Sequence, residues 1–137
     1  MIIMSVDLGH VRTGLAISDS GGFLASSLCV IEERVDERLV QKIIDQAQKN
    51  RAERIVVGLP KNMDGSEGES AQRARMLADR ITQLSSIPTV MQDERCTTLT
   101  AHAYLSAGEV FGKKRKQRVD AVAASIILQD YLDKRKD

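Results

Sequence analysis

A chain of 137 residues and 15.1 kDa buries about two-thirds of the surface its unfolded form exposes, enough for one core and too little for two domains. Hydrophobic residues make up 42%, charged residues 28%, and mean hydropathy is −0.22, which excludes disordered, collagen-like and disulfide-scaffold classes and leaves one globular domain over residues 1–137. The net charge of +1 hides a local excess: Lys113, Lys114, Arg115, Lys116 and Arg118 put five cations into six residues, a cluster whose natural partner is a polyanion.

Ile2 to Leu8, Gly14 to Ser18 and Phe23 to Ile31 are apolar runs of strand length, and their short links predict an antiparallel meander. Leu39, Val40, Ile43, Ile44 and Ala47 form one face of a helix over Asp36 to Lys49. Ile55 to Leu59, ending at Pro60, reads as a strand covered on both faces. A second helix is expected from Ser66, where Ser66 and Glu69 match a capping box, with Ala74, Leu77, Ala78, Ile81 and Leu84 as its buried stripe. Thr89 to Asp93 is a fifth strand, and Thr97 or Thr98 is placed to cap a short helix through Ala107. After the basic loop, Val119, Val122, Ala123, Ile126 and Ile127 define the last helix.

This order predicts an α/β fold with a five-stranded mixed sheet: a three-strand meander whose first strand is central, plus two strands parallel to it, flanked by helices. No apolar run reaches the roughly 18 residues of a membrane span, and Ile2 to Met4 has no basic residue before it, so neither a membrane span nor a signal peptide is expected. Cys29, Cys96, His10 and His102 share no metal-ligand spacing, which fits a reducing cytoplasm. Cys96, with no histidine adjacent in sequence and no CxxC, reads as a packing residue.

Sites in such sheets gather beyond the carboxyl ends of the strands. Asp7 ends the first strand, Asp93 and Glu94 end the fifth, and Asp120 opens the last helix, where Ala121, Ala123, Ala124 and Ser125 permit close approach to a sheet. Converging carboxylates repel unless a cation sits among them, and hard oxygen donors suit Mg²⁺ or Mn²⁺. Two such ions activate a water and stabilise a leaving oxygen in phosphodiester hydrolysis, with the neighbouring cations on the phosphate backbone. A nuclease is the expectation. Each acid alone also fits a bland role, as a strand end, a helix-dipole partner or a mate for Arg95.

Asp7-Leu-Gly with Arg12 and Gly14 to Asp19, Val57 to Ser66 with Gly68, Asp93-Glu-Arg with Thr97-Thr98 and Ala101, and the basic run before Asp120 with Ala123-Ala124 and Ile127-Leu128 together resemble the YqgF/RuvX family over nearly the whole chain. The resemblance implies a ribonuclease H-like fold, a cytoplasmic nuclease acting in 5′-end maturation of pre-16S rRNA, and, as the alternative, Holliday junction resolution. It carries the catalytic and metal-binding roles onto Asp7, Glu94 and Asp120, with Asp93 as second choice. Nucleic-acid contacts are expected at Arg12, Asn62, Arg95, Lys113, Lys114, Arg115, Lys116 and Arg118. The chain departs from RuvC-type resolvases, which carry a glutamate on the fourth strand where Gly58 stands here. The residues Asn62, Asp64, Gly65, Ser66 and Gly68 combine turn chemistry with a helix start, a place for a phosphate or ribose oxygen.

Two other classes compete. The Asp-x-Gly strand and hairpin also resemble the start of actin-like ATPases and sugar kinases, but one domain is too short for their two-domain closure. A non-catalytic nucleic-acid-binding ribosome-assembly factor would need only the basic surface. Helix faces such as Gln41, Lys42, Asp45 and Lys49, and Arg73, Arg80 and Gln83, read as exposed and charged, so no apolar patch for a two-fold interface is evident. A monomer or weak homodimer follows. That favours cleavage of single-stranded precursor rRNA over paired incision of branched DNA, and with two Phe and two Tyr binding should rest on backbone charge with weak sequence preference.

Overall fold

The computed structural model describes residues 1–62, 64–93 and 112–135, with the backbone alone over residues 112–120. Its elements are β1 (Ile3–Asp7), β2 (Arg12–Ser18), β3 (Ala25–Glu32), α1 (Asp36–Lys49), β4 (Arg54–Leu59), α2 (Glu69–Ser85), β5 (Thr89–Asp93) and α3 (Gly112–Lys134). The strands form one sheet in the order β3-β2-β1-β4-β5. As the sequence predicts, β1 is central, antiparallel to β2 and parallel to β4, and β5 is parallel to β4.

Alternation along β1 explains its unbroken apolar run, because both faces of the strand are covered. Met4 and Val6 enter the larger core, with Leu15 from β2 and Leu39, Ile43, Leu77 and Ile81 from α1 and α2. Ile3 turns to the opposite face, where Ala16 and Val56 meet Ala124, Ile127, Leu128 and Leu132 of α3. Each fully buried Leu or Ile contributes about 1.5–3 kcal/mol, so α3 is a full partner of the sheet rather than an appendage. The polar Ser5 lies on that face, fully buried, and donates to the Ala124 carbonyl at 2.6 Å. A hydroxyl so placed is satisfied and also sets the helix against the strand.

Several expectations are corrected. α2 begins at Glu69, and Ser66 does not cap it. Asp64 Oδ1 instead accepts from the Ser66 backbone N–H at 2.9 Å and from its hydroxyl at 2.6 Å, closing a turn in which Gly65 takes φ +90°. The buried stripe of α2 ends at Ile81, and Leu84, almost a turn further, is 54% exposed. β3 starts at Ala25, leaving Phe23 73% and Leu24 67% exposed on the preceding turn, so an apolar pair does stand at the surface.

The basic loop is helical: α3 starts at Gly112, before all five cations, and Asp120 lies two turns inside it rather than in its first turn. Lys and Arg are good helix formers, a property that hydrophobic periodicity does not register. Among the described side chains of α3, Ala123, Ala124, Ile127, Leu128 and Leu132 are buried, while Val122 and Ile126 are half-buried at its edge. The side chain of Val119 and the short helix expected between Thr97 and Ala107 lie outside the described residues. No described helix is long and apolar enough to cross a membrane.

Candidate active site

Asp7 is the last residue of β1, at the carboxyl edge of the sheet, and is half-buried. Alternation from Ile3 and Ser5 puts it on the α3 face. It pairs with Gly14 on β2. On its other side, Val6 is in register with Val57, which sets Asp7 level with Gly58, and Gly58 is in register with Gln92 of β5. The carboxylate therefore has a glycine on each neighbouring strand, on its own face and at its own level. Neither of these two buried positions puts a side chain beside the carboxylate.

The helix above supplies the next position. The Ser5–Ala124 contact sets the level of the helix, and Arg54, in register with Ile3 and bonded to the Tyr131 hydroxyl, sets its direction, antiparallel to β1; two residues along β1 advance about 6.6 Å and one helical turn about 5.4 Å. Residue 120, a turn before Ala124, is thus carried toward Asp7. Arg12, at the start of β2, shares the parity of Gly14 and Ala16 and stands on the same face, just beyond Asp7 and in register with Glu32.

Asp93 is on the wrong face. Val90 packs into the α3 cluster and Gln92 Nε2 donates to Asp130 Oδ2 of α3 at 2.5 Å, so Met91, which packs against the α1/α2 core, and Asp93 point the other way. Glu94 and Arg95 lie outside the described residues, as do Cys96 and His102. His10 is exposed on the turn after β1. Asn62 is drawn into the turn after β4, where its amide donates to Ser66 Oγ at 2.9 Å and a bridge joins Lys61 to Glu67. The Arg75 guanidinium, 2.7 Å from Glu67, holds that carboxyl below the usual range. Burial pushes the Cys29 thiol up, the opposite of what a nucleophile needs.

The turn after Asp7 is tightly specified. A Cβ on Gly9 would lie 2.0 Å from the Arg12 carbonyl oxygen, so only glycine fits the close approach. The Gly9 N–H donates to the fully buried Thr13 hydroxyl at 3.3 Å, and the Glu33 N–H donates to the Val11 carbonyl at 2.8 Å. The sequence reading missed Arg73, which it placed on an exposed face. Its side chain is 19% exposed; Nη1 donates to the Gly9 carbonyl at 2.9 Å, and Nη2 and Nε donate to Asp36 Oδ1 at 2.8 and 3.2 Å. Its one signal was a cation beside Ala74 in the apolar stripe.

Among the described residues, no three His, Cys, Asp or Glu side chains gather into a metal site. Asp7 is the described member of the expected set. Its carboxylate is a hard oxygen donor, the donor type that Mg²⁺ or Mn²⁺ takes.

A mixed sheet in this order, with an acid ending its central strand, is the ribonuclease H-like architecture shared by resolvases. RuvC from Thermus thermophilus in complex with Holliday junction substrate superposes with a TM-score of 0.59 at 14% identity, covering 96% of this chain and 94% of that one. The model of the family described as RuvX, Holliday junction resolvase, matches residues 1–134, and the chain belongs to that family. Relatives named "Putative pre-16S rRNA nuclease" include one from Chloroflexus aurantiacus, 40% identical over 98% of this chain and 88% of its own length. Another, from Halothermothrix orenii, is 42% identical over 97% of this chain and 95% of its own length.

Proposed function

We propose that this RuvX-family chain is a metal-dependent nuclease that hydrolyses phosphodiester bonds of precursor 16S rRNA in the cytoplasm. The observation that carries the reading is Asp7 at the end of the central strand, flanked on its own face by Gly14 and Gly58. Asp7, Glu94 and Asp120 are the acids assigned to hold Mg²⁺ or Mn²⁺. Glu94 is preferred to Asp93, which stands on the opposite face. Bound there, a pair of such ions supplies a nucleophilic hydroxide and charge stabilisation at the leaving oxygen. The chain's own contribution is to keep the Asp7 carboxylate at the sheet edge, between two strands whose glycines put no side chain beside it. Arg12, Arg95 and the cations of α3 are assigned to the phosphate backbone, where they attract any strand and read no sequence. Asn62, engaged within its own turn, contributes through that turn's position at the same edge.

The substrate follows the names of the relatives. The second reading, incision of a four-way junction, follows the family's description and requires two active sites at a fixed separation. Precursor rRNA and a synthetic junction, offered side by side with Mn²⁺, discriminate them. The wild type is expected to cleave the RNA and to melt higher with millimolar Mn²⁺, while Asp7→Asn loses cleavage and most of the melting shift. An identical Mn²⁺ response in Asp7→Asn removes Asp7 from the site.

A further inference from the structure

We propose that Arg73 is a positioning residue for Asp7: from α2 it holds the Gly9 carbonyl, two residues after the carboxylate, without itself reaching substrate. The inference deepens the reading of Asp7 as a metal ligand and rests on it. Among the described residues, contacts from Thr13, Glu33 and Arg73 hold the turn between β1 and β2, and they differ in strength. The Gly9 N–H to Thr13 contact is long, at 3.3 Å, and the Val11 carbonyl is held at the far end of the turn. Of these, the contact that is both short and charged is the Arg73 guanidinium on the Gly9 carbonyl, at 2.9 Å. A cationic donor on a carbonyl is stronger than a neutral one.

The guanidinium is itself immobilised. Nε and Nη2 both donate to Asp36 Oδ1, in the first turn of α1, while Nη1 points to Gly9. A planar fork with its donors committed in two directions cannot rotate without breaking one of them. Asp36 of α1, Arg73 of α2 and Gly9 thus form one linkage behind the turn, on the side opposite α3. Because Gly9 is two residues from Asp7, movement of its peptide displaces the carboxylate. A metal site tolerates displacements of only about 0.5 Å in its ligands. Arg80 provides the control, since it ties α2 to α1 through Glu37 at 2.8 Å, two turns further along.

The test compares Arg73→Met and Arg73→Lys with Arg80→Met. Two readouts are used: the Mn²⁺ concentration giving half of the melting shift, and kcat and KM for cleavage of single-stranded RNA. Arg73→Met is expected to need about tenfold more Mn²⁺ and to lose about tenfold in kcat, with KM nearly unchanged. Arg73→Lys recovers part of both, because an ammonium still reaches one of the two acceptors. Arg80→Met lowers the melting temperature and leaves the Mn²⁺ midpoint where it was. If Arg73→Met fails to fold, Asp36→Asn carries the same test, with a smaller shift in the same direction.

A wild-type Mn²⁺ midpoint in Arg73→Met, or in Asp36→Asn where that replaces it, overturns the proposal while leaving nuclease function standing. A wild type that cleaves no RNA, but whose Mn²⁺ response is lost on changing Arg73, overturns the nuclease reading and supports the positioning role. A wild type with no Mn²⁺ response overturns both.

Discussion

Single atoms decide what the first turn tolerates. A methyl group on Gly9 would sit 2.0 Å from the Arg12 carbonyl oxygen, a backbone atom that moves only if the start of β2 opens. Gly9→Ala is therefore expected to lower unfolding free energy by about 1–3 kcal/mol, measured by urea denaturation. Asp19 shows how a carboxylate shapes the next hairpin. Its Oδ1 accepts the Phe23 N–H at 2.7 Å and the Leu24 N–H at 3.3 Å, and these bonds hold its carboxyl below the usual range. A depressed folded-state value gives stability that is present above the ordinary pKa and lost as pH falls through the folded one. The melting temperature of wild type should exceed that of Asp19→Asn at neutral pH, and the gap should begin to shrink below about pH 4 and close once pH falls below the lowered folded value. A gap that persists at pH 2 would show that the carboxylate charge is irrelevant to the turn.

At the scale of elements, α3 sets stability against function. Its first turn holds no acid, and its opening residues are Gly112, Lys113, Lys114, Arg115 and Lys116. Cations at a helix N-terminus oppose the macrodipole, each by about 0.3–1 kcal/mol when exposed. Neutralising Lys113, Lys114, Arg115 and Lys116 to Gln should hold or raise the melting temperature while weakening nucleic-acid binding and flattening its salt dependence. Calorimetry and salt-titrated binding check the two halves, and unchanged affinity would reduce the run to a solvated surface. The elements themselves were legible to different degrees. α1 was read to its ends because its apolar stripe fills the helix, and the centrality of β1 followed from short links and a run buried on both faces. The start of α2 was misread because Ser66, with Asp64 as a nearer acceptor, serves the turn instead. Asp7 was visible as an acid ending a strand. Arg73, Ser5 and Gln92 were not, because a polar residue that joins two elements is invisible until the elements are brought together.

For the whole molecule, the surface expectation needs refinement. Phe23 and Leu24 stand exposed at one hairpin, but a single turn is small against the roughly 800 Å² per partner of a stable interface. Sedimentation at micromolar concentration is expected to show a monomer or weak dimer. A tight dimer that makes paired nicks in a junction would reverse the choice of substrate.

The bond from Ser5 to the Ala124 carbonyl joins residues 119 apart in sequence, which gives the protein a history as well as a shape. As the chain leaves the ribosome, β1 emerges first and its parallel neighbour β4 about fifty residues later. The α3 residues that close the second core come last. Until then Ile3, Ala16 and Val56 face water, and the face of the sheet that carries Asp7 is bare. On the proposed assignment of Asp120, the nuclease is thereby kept inert until its last helix has docked. Halting synthesis just before Gly112 should leave a nascent chain that proteases digest readily and that cleaves nothing.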